Sequence, residues 1–199
     1  CMSSNIGSGD LTMVYTTKTD QEATMGFELS LNDILVERLI SLFPDIDTLV
    51  PMLRSFEGMV DCQMTATCKA DSTMSVLLPS VNASCYLSGK NMVLLDGETF
   101  TEISKTLMFK NKKRNMIDSI AVDLAIHDNK IEVFPFLVEM DRYKVAVGGT
   151  HNLDMTFDYH LSVLKSPVPF KLGIDIKGNL DGFKFKIVKC KYKDFLKPA

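Results

Sequence analysis

The sequence predicts a mainly β fold with two short helices, an α+β arrangement. In it, a curved antiparallel meander sheet forms a half-barrel or groove, and the helices lie on its apolar face. Two observations support this prediction. Apolar and polar residues alternate through long segments of the chain, which gives each strand one apolar and one solvated face. Turn residues separate several of these segments at hairpin length, and such short connections permit only antiparallel pairing.

The strand pattern is clearest in the second half of the chain. Two of its segments each place four apolar residues at alternate positions: Ile120, Val122, Leu124 and Ile126 in the first, and Phe157, Tyr159, Leu161 and Val163 in the second. We expect the apolar sides of these two strands, which carry the eight residues, to line an apolar groove. About ten such one-sided strands present more apolar surface than two helices of about 18 Å can cover. Large exposed apolar patches usually mark binding surfaces.

Turn residues divide the second half of the chain into strands. The dipeptides Asp128-Asn129, Asp141-Arg142, Gly148-Gly149 and Asp181-Gly182 are each predicted to reverse the chain. Residues 115–193 should therefore form a meander of successive neighbours. In the last strand the apolar residues move from odd positions, such as Phe185, to even ones, such as Cys190. This phase change predicts a bulge or sharp bend near Ile187.

Two segments have helical periodicity instead. In the first, from Ile34 to Phe43, the apolar residues fall on one stripe, with Ser30 or Asn32 placed to cap the helix and Pro44 to end it. The second starts at Asp96 with acidic residues near its positive end. Its apolar stripe is Phe100, Ile103 and Leu107, and it ends in a basic tract.

The basic tract contains the cations Lys110, Lys112, Lys113 and Arg114. One interpretation is a solvated helix end, because the helix dipole favours cations at its C-terminus. The other is a contact for anionic head groups or phosphates. We keep the tract as a candidate head-group contact.

Composition excludes several classes of protein. The chain has 199 residues, a net charge of −3 and no segment that reads as a linker, so we expect a single domain over residues 1–199 that does not bind nucleic acid. No apolar run approaches the roughly 20 residues of a membrane span. The chain begins Cys1-Met2, which is unusual for a complete reading frame. We therefore expect a fragment or a processed product of a larger protein.

Catalytic, cofactor and metal motifs are not found in the sequence. It contains no G-x-S-x-G, no phosphate-binding Gly-rich loop and no H-E-x-x-H. Acidic residues occur singly, without the spacing of paired carboxylates. His127 and His160 fall on the polar faces of their strands, where solvated histidines are expected. We therefore predict no enzyme activity, no catalytic residues, no cofactor and no metal.

The five cysteines have neither the CxxC nor the Cys–His spacing of a zinc site. Cys62, Cys68 and Cys85 fall on the apolar faces of their strands, and we predict that they are buried free thiols. The alternative is a disulfide from Cys85 to Cys62 or Cys68, which requires those two strands to be neighbours.

Several motifs resemble the C-terminal region of AsmA-type proteins, in the form found in Bacteroidetes. The similar segments run from Glu98 to Lys112, Asn115 to Ile120, Ile131 to Phe136, Asp141 to Tyr143, Gly149 to Thr150, and Tyr159 to Pro167. The resemblance covers roughly Val60 to Lys193. It is specific to the family, but the motifs carry no known chemistry.

The resemblance implies a place in the cell envelope. AsmA-like proteins are large, are held in the inner membrane by an N-terminal helix, and project into the periplasm. Their sheets curl into an elongated groove with an apolar interior, and the family is linked to outer-membrane biogenesis and lipid transport between membranes. By this resemblance the chain would be periplasmic, and its parent protein would be anchored by a segment absent here.

The expected function is therefore that of a non-enzymatic segment that binds or guides lipid acyl chains in a β-groove and supports outer-membrane biogenesis. Its expected partners are a phospholipid or another envelope lipid, and an envelope protein is a further candidate. The main alternative is a structural cap or partner-docking segment with no ligand of its own. Two lesser alternatives are a closed barrel for another small apolar ligand and a β-rich hydrolase with dispersed catalytic residues.

Overall fold

The computed structural model describes residues 2–4, 7–19, 22–42, 56–73, 75–94, 115–140, 143–166, 171–179 and 182–196. Within these ranges the chain is mainly β, as predicted, and forms one curved, unclosed antiparallel sheet. Its strands are β1 (Met2–Ser4), β2 (Gly7–Thr19), β3 (Glu22–Leu35), β4 (Phe56–Ala70), β5 (Asn82–Leu94), β6 (Asn115–His127), β7 (Lys130–Met140), β8 (Tyr143–Asn152), β9 (Phe157–Lys165), β10 (Leu172–Asn179) and β11 (Gly182–Val188).

Every strand pairs with its neighbours in sequence, so the sheet is a meander from β1 to β11. The turn at Asp128-Asn129 is confirmed: both residues have positive φ, 50° and 60°, as a two-residue type I′ hairpin requires. Met140 pairs with Tyr143 and Asn179 with Gly182. These two pairs flank the reversals predicted at residues 141–142 and at Asp181-Gly182. Residues 141–142 and Asp181 themselves lie outside the described residues.

The predicted reversal at Gly148-Gly149 is wrong, because both glycines lie inside β8. Close approach by neighbouring chain explains them instead. A Cβ on Gly148 would lie 3.0 Å from the Tyr192 hydroxyl, and a Cβ on Gly149 would lie 2.3 Å from the backbone oxygen of Asp158. These glycines therefore make room for their neighbours inside a continuous strand.

The first helix is shorter than its apolar stripe predicts. Strand β3 continues to Leu35, and the helix α1 covers Val36–Leu42 only. A register shift between Leu31 and Ile34 places Asp33 at φ 53°, and the Asp33 N–H donates to Asp61 Oδ1 at 2.9 Å. Ile34 then pairs with Val60. The cross-strand pairing therefore overrides the helical periodicity of Ile34 and Leu35.

Helix α1 packs on the apolar face of the sheet. Val36 and Leu39 are 2% and 1% exposed and belong to one core cluster with Leu31, Val60 and Cys62. The other helical residues described form two 3-10 turns, Leu78–Ser80 and Lys193–Leu196. The second predicted helix and the basic tract that ends it lie outside the described residues.

The ladder between β6 and β7 is unusually short. Four residue pairs join these strands, from Leu124↔Val133 to His127↔Lys130, whereas eleven pairs join β5 to β6. Pro135 has no N–H to donate, and the register of β7 against β8 shifts between Val133 and Phe136. We call this junction the β6–β7 seam.

The predicted bend at the end of the last strand is present. Strand β11 ends at Val188, and the chain then crosses to the opposite face of the sheet. There Cys190 packs with Ala146 and Leu164, and Tyr192 packs against the same cluster. The apolar residues move from odd to even positions because Phe183 and Phe185 pack on one face of the sheet, whereas Cys190 and Tyr192 pack on the other.

Candidate functional site

All eight residues of the predicted groove lie on one face of the sheet, which we call the apolar face. They form two banks, one on β6 and one on β9, with β7 and β8 between them. Cross-strand pairing aligns the banks: Leu124 pairs with Val133, Val133 with Gly149, and Gly149 with Tyr159. Three strand spacings separate the banks along the sheet, about 14 Å. The apolar face is therefore continuous between them.

The eight residues differ in burial. Val122, Leu124 and Leu161 are each 9% exposed and Val163 is 2% exposed, so these four are buried. The other four are half-buried: Ile120, Ile126, Phe157 and Tyr159. The half-buried residues are the ones that an apolar ligand could contact without displacing the core.

Tyr159 links the two banks. It packs against the cluster of Val122, Leu124 and Ile131 and also against the cluster of Leu161 and Ile174. A Cβ on Gly149 would lie 2.7 Å from Tyr159 Cδ1, so the ring lies over the glycine. Burial raises the pKa of Tyr159 to about 12. Its hydroxyl is therefore neutral at physiological pH and adds no charge to the face.

Exposed apolar side chains border this face at both edges of the sheet. On β2, Leu11 and Met13 are 49% and 63% exposed and pair with Leu29 and Phe27 of β3. On β11, Ile187 is 68% exposed and pairs with the buried Ile174. The apolar surface therefore extends to both edges.

The opposite face carries a cavity of about 590 Å³ that spans β2 to β7. Its lining includes the carboxylates of Asp10, Glu28 and Asp123 and the partly exposed rings of Tyr86 and Phe134, and it includes no lysine or arginine. Three carboxylates in a lining without lysine or arginine disfavour both acyl chains and anionic head groups. This cavity is therefore not the predicted lipid site.

His160 is buried, so the prediction of a solvated histidine at this position is wrong. Its side chain is covered by the segment that follows β11, and only 3% of the residue is exposed. His127 is half-exposed, as its position on a polar face predicts. Its ring lies 3.2 Å from Asp128 Oδ2.

His160 joins Asp175 and Ser162 in a hydrogen-bonded group that we call the clasp. Its Nδ1 lies 2.5 Å from Asp175 Oδ1. The carboxylate accepts, so Nδ1 carries the proton, and Nε2 accepts from the Ser162 hydroxyl at 2.9 Å. The Ser162 Oγ also accepts the backbone N–H groups of Lys191 and Tyr192, at 3.1 and 3.0 Å. The clasp therefore holds the C-terminal segment against β9 and β10.

The order of groups in the clasp is that of a Ser-His-Asp hydrolase, but its environment is not. Ser162 is 0% exposed, and two backbone N–H groups occupy the lone pairs of its Oγ. A carbonyl substrate cannot reach this oxygen in the present arrangement. The clasp is a structural device.

Hydrogen bonding also fixes the charge of Asp175. The bond from His160 holds the pKa of this carboxyl below its ordinary value of 3.8 against the opposing effect of burial, and the Lys191 ammonium, 2.9 Å from Oδ1, lowers it further. Sequence reasoning missed the clasp. The available signal was His160 and Ser162 at alternate positions on one polar face, in a strand followed by a segment that changes phase.

The described cysteines are free thiols. Cys62, Cys68 and Cys190 are buried and Cys85 is half-buried. This confirms burial on the apolar face for Cys62 and Cys68, whereas Cys85 is less buried than predicted. Strands β4 and β5 are neighbours, and the Sγ atoms of Cys62 and Cys85 are 3.9 Å apart.

The described ranges contain neither a metal-binding cluster nor a membrane-spanning helix. No three or more His, Cys, Asp or Glu side chains are placed there to hold a metal ion. None of the helices described has the length and apolar character needed to cross a membrane. The candidate head-group residues Lys110, Lys112, Lys113 and Arg114 lie outside these ranges.

Comparisons with known proteins return no match: no family model, no curated protein and no solved structure is similar enough to the chain to count as one.

Proposed function

We propose that this chain is a non-enzymatic segment of an AsmA-like envelope protein and that its apolar face is a groove for lipid acyl chains. In this proposal the segment acts on the periplasmic side of the inner membrane and supports outer-membrane biogenesis. The ligand is a phospholipid or another envelope lipid. The parent protein holds the segment near the membrane through an anchor outside this chain.

The continuity of the apolar face is the observation that most supports the proposal. The row Leu124, Val133, Gly149 and Tyr159 crosses four strands without a charged residue. The parallel row Ile126, Ile131, His151 and Phe157 has one polar member, His151, which stacks on Phe157 with the rings 10° from parallel. Leu124, Val133, Ile131 and His151 are buried in these rows. An acyl chain laid across them would therefore contact the half-buried Ile126, Phe157 and Tyr159.

The energetics of such a contact are favourable. Each methylene removed from water contributes about 0.8 kcal/mol. Ten buried methylenes would contribute about 8 kcal/mol, comparable to a micromolar dissociation constant before the costs of association are subtracted. The half-buried side chains Ile120, Ile126 and Phe157 provide contact surface for part of that chain.

The basic tract completes the proposed ligand contact. Its four cations, Lys110, Lys112, Lys113 and Arg114, would pair with a phosphate or carboxylate head group. This assignment rests on sequence. It agrees with the acidic lining of the opposite face, which leaves that face unsuited to an anionic lipid.

One observation favours the structural alternative, in which the segment caps the groove of its parent or docks a partner. Val163 and Ile174 are 2% and 1% exposed, so part of the apolar face is already a closed core. A segment with this function would carry no ligand of its own.

Paired charge substitutions on β6 distinguish the two functions. Ile120 is half-buried on the apolar face, and the next residue, Ala121, is exposed on the other face. In Ile120→Asp we expect the protein to remain folded, because the carboxylate can reach solvent, and to lose binding of a fluorescent fatty acid. Ala121→Asp adds the same charge to the same strand and should bind as the wild type does.

Native mass spectrometry of the protein purified from bacteria provides a test that needs no variant. A co-purified lipid supports the groove. Protein that emerges without lipid and binds no fatty acid favours the structural cap. If Ile120→Asp is folded and binds lipid normally, this face is rejected as the site. Collapse of Val122→Asp and Leu161→Asp, both at positions 9% exposed, with survival of Ile120→Asp would separate the core from the contact surface.

A further inference from the structure

Two thiols face each other on the apolar face. Cys62 on β4 pairs with Leu87 on β5, and Cys85 pairs with Met64, so the two cysteines are diagonal neighbours on adjacent strands. Their Sγ atoms are 3.9 Å apart, close enough for one thiol to donate to the other. The chain therefore brings together two cysteines that are 23 residues apart in sequence.

The other described cysteines have different surroundings. Cys68 pairs with Met25 of β3 and lies six residues along β4 from Cys62. Cys190 packs with Ala146 and Leu164 on the opposite face. Among the described cysteines, the thiol–thiol contact is therefore the one between Cys62 and Cys85.

This contact shifts the pKa values of the two thiols in opposite directions. The hydrogen bond with Cys62, followed by burial, raises the pKa of the Cys85 thiol. The same hydrogen bond lowers the pKa of the Cys62 thiol against the opposing effect of burial, so Cys62 ionises before Cys85. Cys62 is 3% exposed and Cys85 is half-buried. Cys85 is therefore the more exposed residue of the pair.

We infer that Cys62 and Cys85 are a site of oxidative modification and form an intramolecular disulfide when the protein meets a disulfide oxidant. A thiolate of the pair attacks the oxidant and releases one thiol, and the second cysteine then displaces the other. One S–S bond forms in the protein and one breaks in the oxidant. The two protons and two electrons lost by the cysteines convert the oxidant to two thiols.

The backbone geometry sets the character of this disulfide. Diagonal neighbours in a sheet have Cα atoms about 7–8 Å apart, whereas disulfides span about 4.4–6.8 Å and bring the sulfurs to about 2.05 Å. Closure must therefore draw β4 and β5 together slightly. A strained disulfide is more easily reduced, so the cross-link is reversible by ordinary dithiols.

Incubation of the full chain with oxidised glutathione tests the inference. We expect the intact mass to fall by two hydrogen atoms, non-reducing peptide mapping to recover a Cys62–Cys85 peptide, and dithiothreitol to reverse both changes. Cys62→Ser and Cys85→Ser should each abolish the cross-link. Cys68→Ser, a buried cysteine of the same strand, is the matched control and should keep it.

The mapping of the wild-type protein does not depend on the folding of any variant. A wild-type mass that stays unchanged after oxidation would overturn the inference. So would a cross-linked peptide that contains Cys1, Cys68 or Cys190 in place of either member of the pair. Retention of the cross-link mass in Cys62→Ser or Cys85→Ser would overturn it as well.

Discussion

Strands β4 and β9 each have a neighbouring strand on both sides, but their side chains are buried differently. Along β4, residues at alternate positions from Val60 to Ala70 are buried or half-buried, and the residues between them are mostly exposed. Along β9, all five residues from His160 to Leu164 are buried. The sequences of both strands alternate, yet only β4 keeps a solvated face, because the C-terminal segment covers the polar face of β9.

This difference shows what a covered polar face requires. A polar group taken out of water needs a hydrogen-bond partner, and in β9 the clasp supplies one to each polar atom of His160 and Ser162. The polar face of β4 has no such requirement, since residues such as Gln63 and Thr65 are exposed to solvent. Strand β9, which is covered on both faces, and its neighbour β8 should therefore be less tolerant of substitution than β4 and its neighbour β3.

The largest expected difference between the regions concerns two glycines. A Cβ on Gly149 would lie 2.3 Å from the Asp158 backbone oxygen, whereas a Cβ on Gly26 of β3 would lie 3.8 Å from its nearest neighbours, on Ala66 and Thr67. We expect Gly149→Ala to lower the free energy of unfolding by about 3 kcal/mol or more and Gly26→Ala to leave it unchanged or raise it by about 0.5 kcal/mol. Urea denaturation measures both. Equal midpoints for the two variants would contradict the comparison.

The second prediction concerns the two strand histidines. His160→Ala removes the partner of Asp175 and of Ser162 in a buried site, and an unsatisfied buried group costs about 1–3 kcal/mol. We expect a loss of about 2–3 kcal/mol in unfolding free energy and faster proteolysis after Val188. His127→Ala, in the exposed hairpin, should change neither. A His160→Ala protein as stable as the wild type would show that the clasp does not hold the C-terminal segment.

The smallest expected effect is on the acid limit of stability. Because the folded-state pKa of Asp175 is lowered from 3.8, chiefly by His160, this carboxylate contributes stability at pH values above its unfolded-state pKa. It loses that stability as the pH falls through its folded-state pKa. Asp175→Asn should therefore flatten the fall in the urea midpoint below pH ~4.

Asp128→Asn alters a side chain that is 94% exposed and serves as the control for Asp175→Asn. It should reproduce the pH profile of the wild-type protein. Identical profiles for all three proteins would mean that Asp175 adds nothing to acid stability.

Local patterns predicted much of the fold because each strand satisfies its own alternation. Patterns within single segments of the sequence were enough to predict the meander, the tight turn at Asp128-Asn129 and the bend after Ile187. Gly148-Gly149 was misread as a turn because the close approach of Asp158 and Tyr192 is a tertiary fact. The first helix was predicted to start too early because Ile34 and Leu35 pair with residues of β4. The periodicity of a single segment does not reveal such pairing.

The sites divide in the same way. The eight apolar-face residues share a face, as their alternation predicts, but their individual burial depends on neighbouring strands and was not predictable. The clasp was missed because its three side chains and its cover come from β9, β10 and the C-terminal segment. The proximity of Cys62 and Cys85 required the register of β4 against β5, which the sequence left open between Cys62 and Cys68.

The β6–β7 seam has a consequence for how the protein opens. Away from its hairpin end, the β6 and β7 backbones lie side by side without ladder bonds in the described pairing, while longer ladders hold β6 to β5 and β7 to β8. Separating the sheet at this seam therefore breaks fewer hydrogen bonds than separating it at either neighbouring ladder. Native-state hydrogen exchange should divide the chain there into two cooperative units, β2 to β6 and β7 to β11, joined by a single tight hairpin that acts as a hinge.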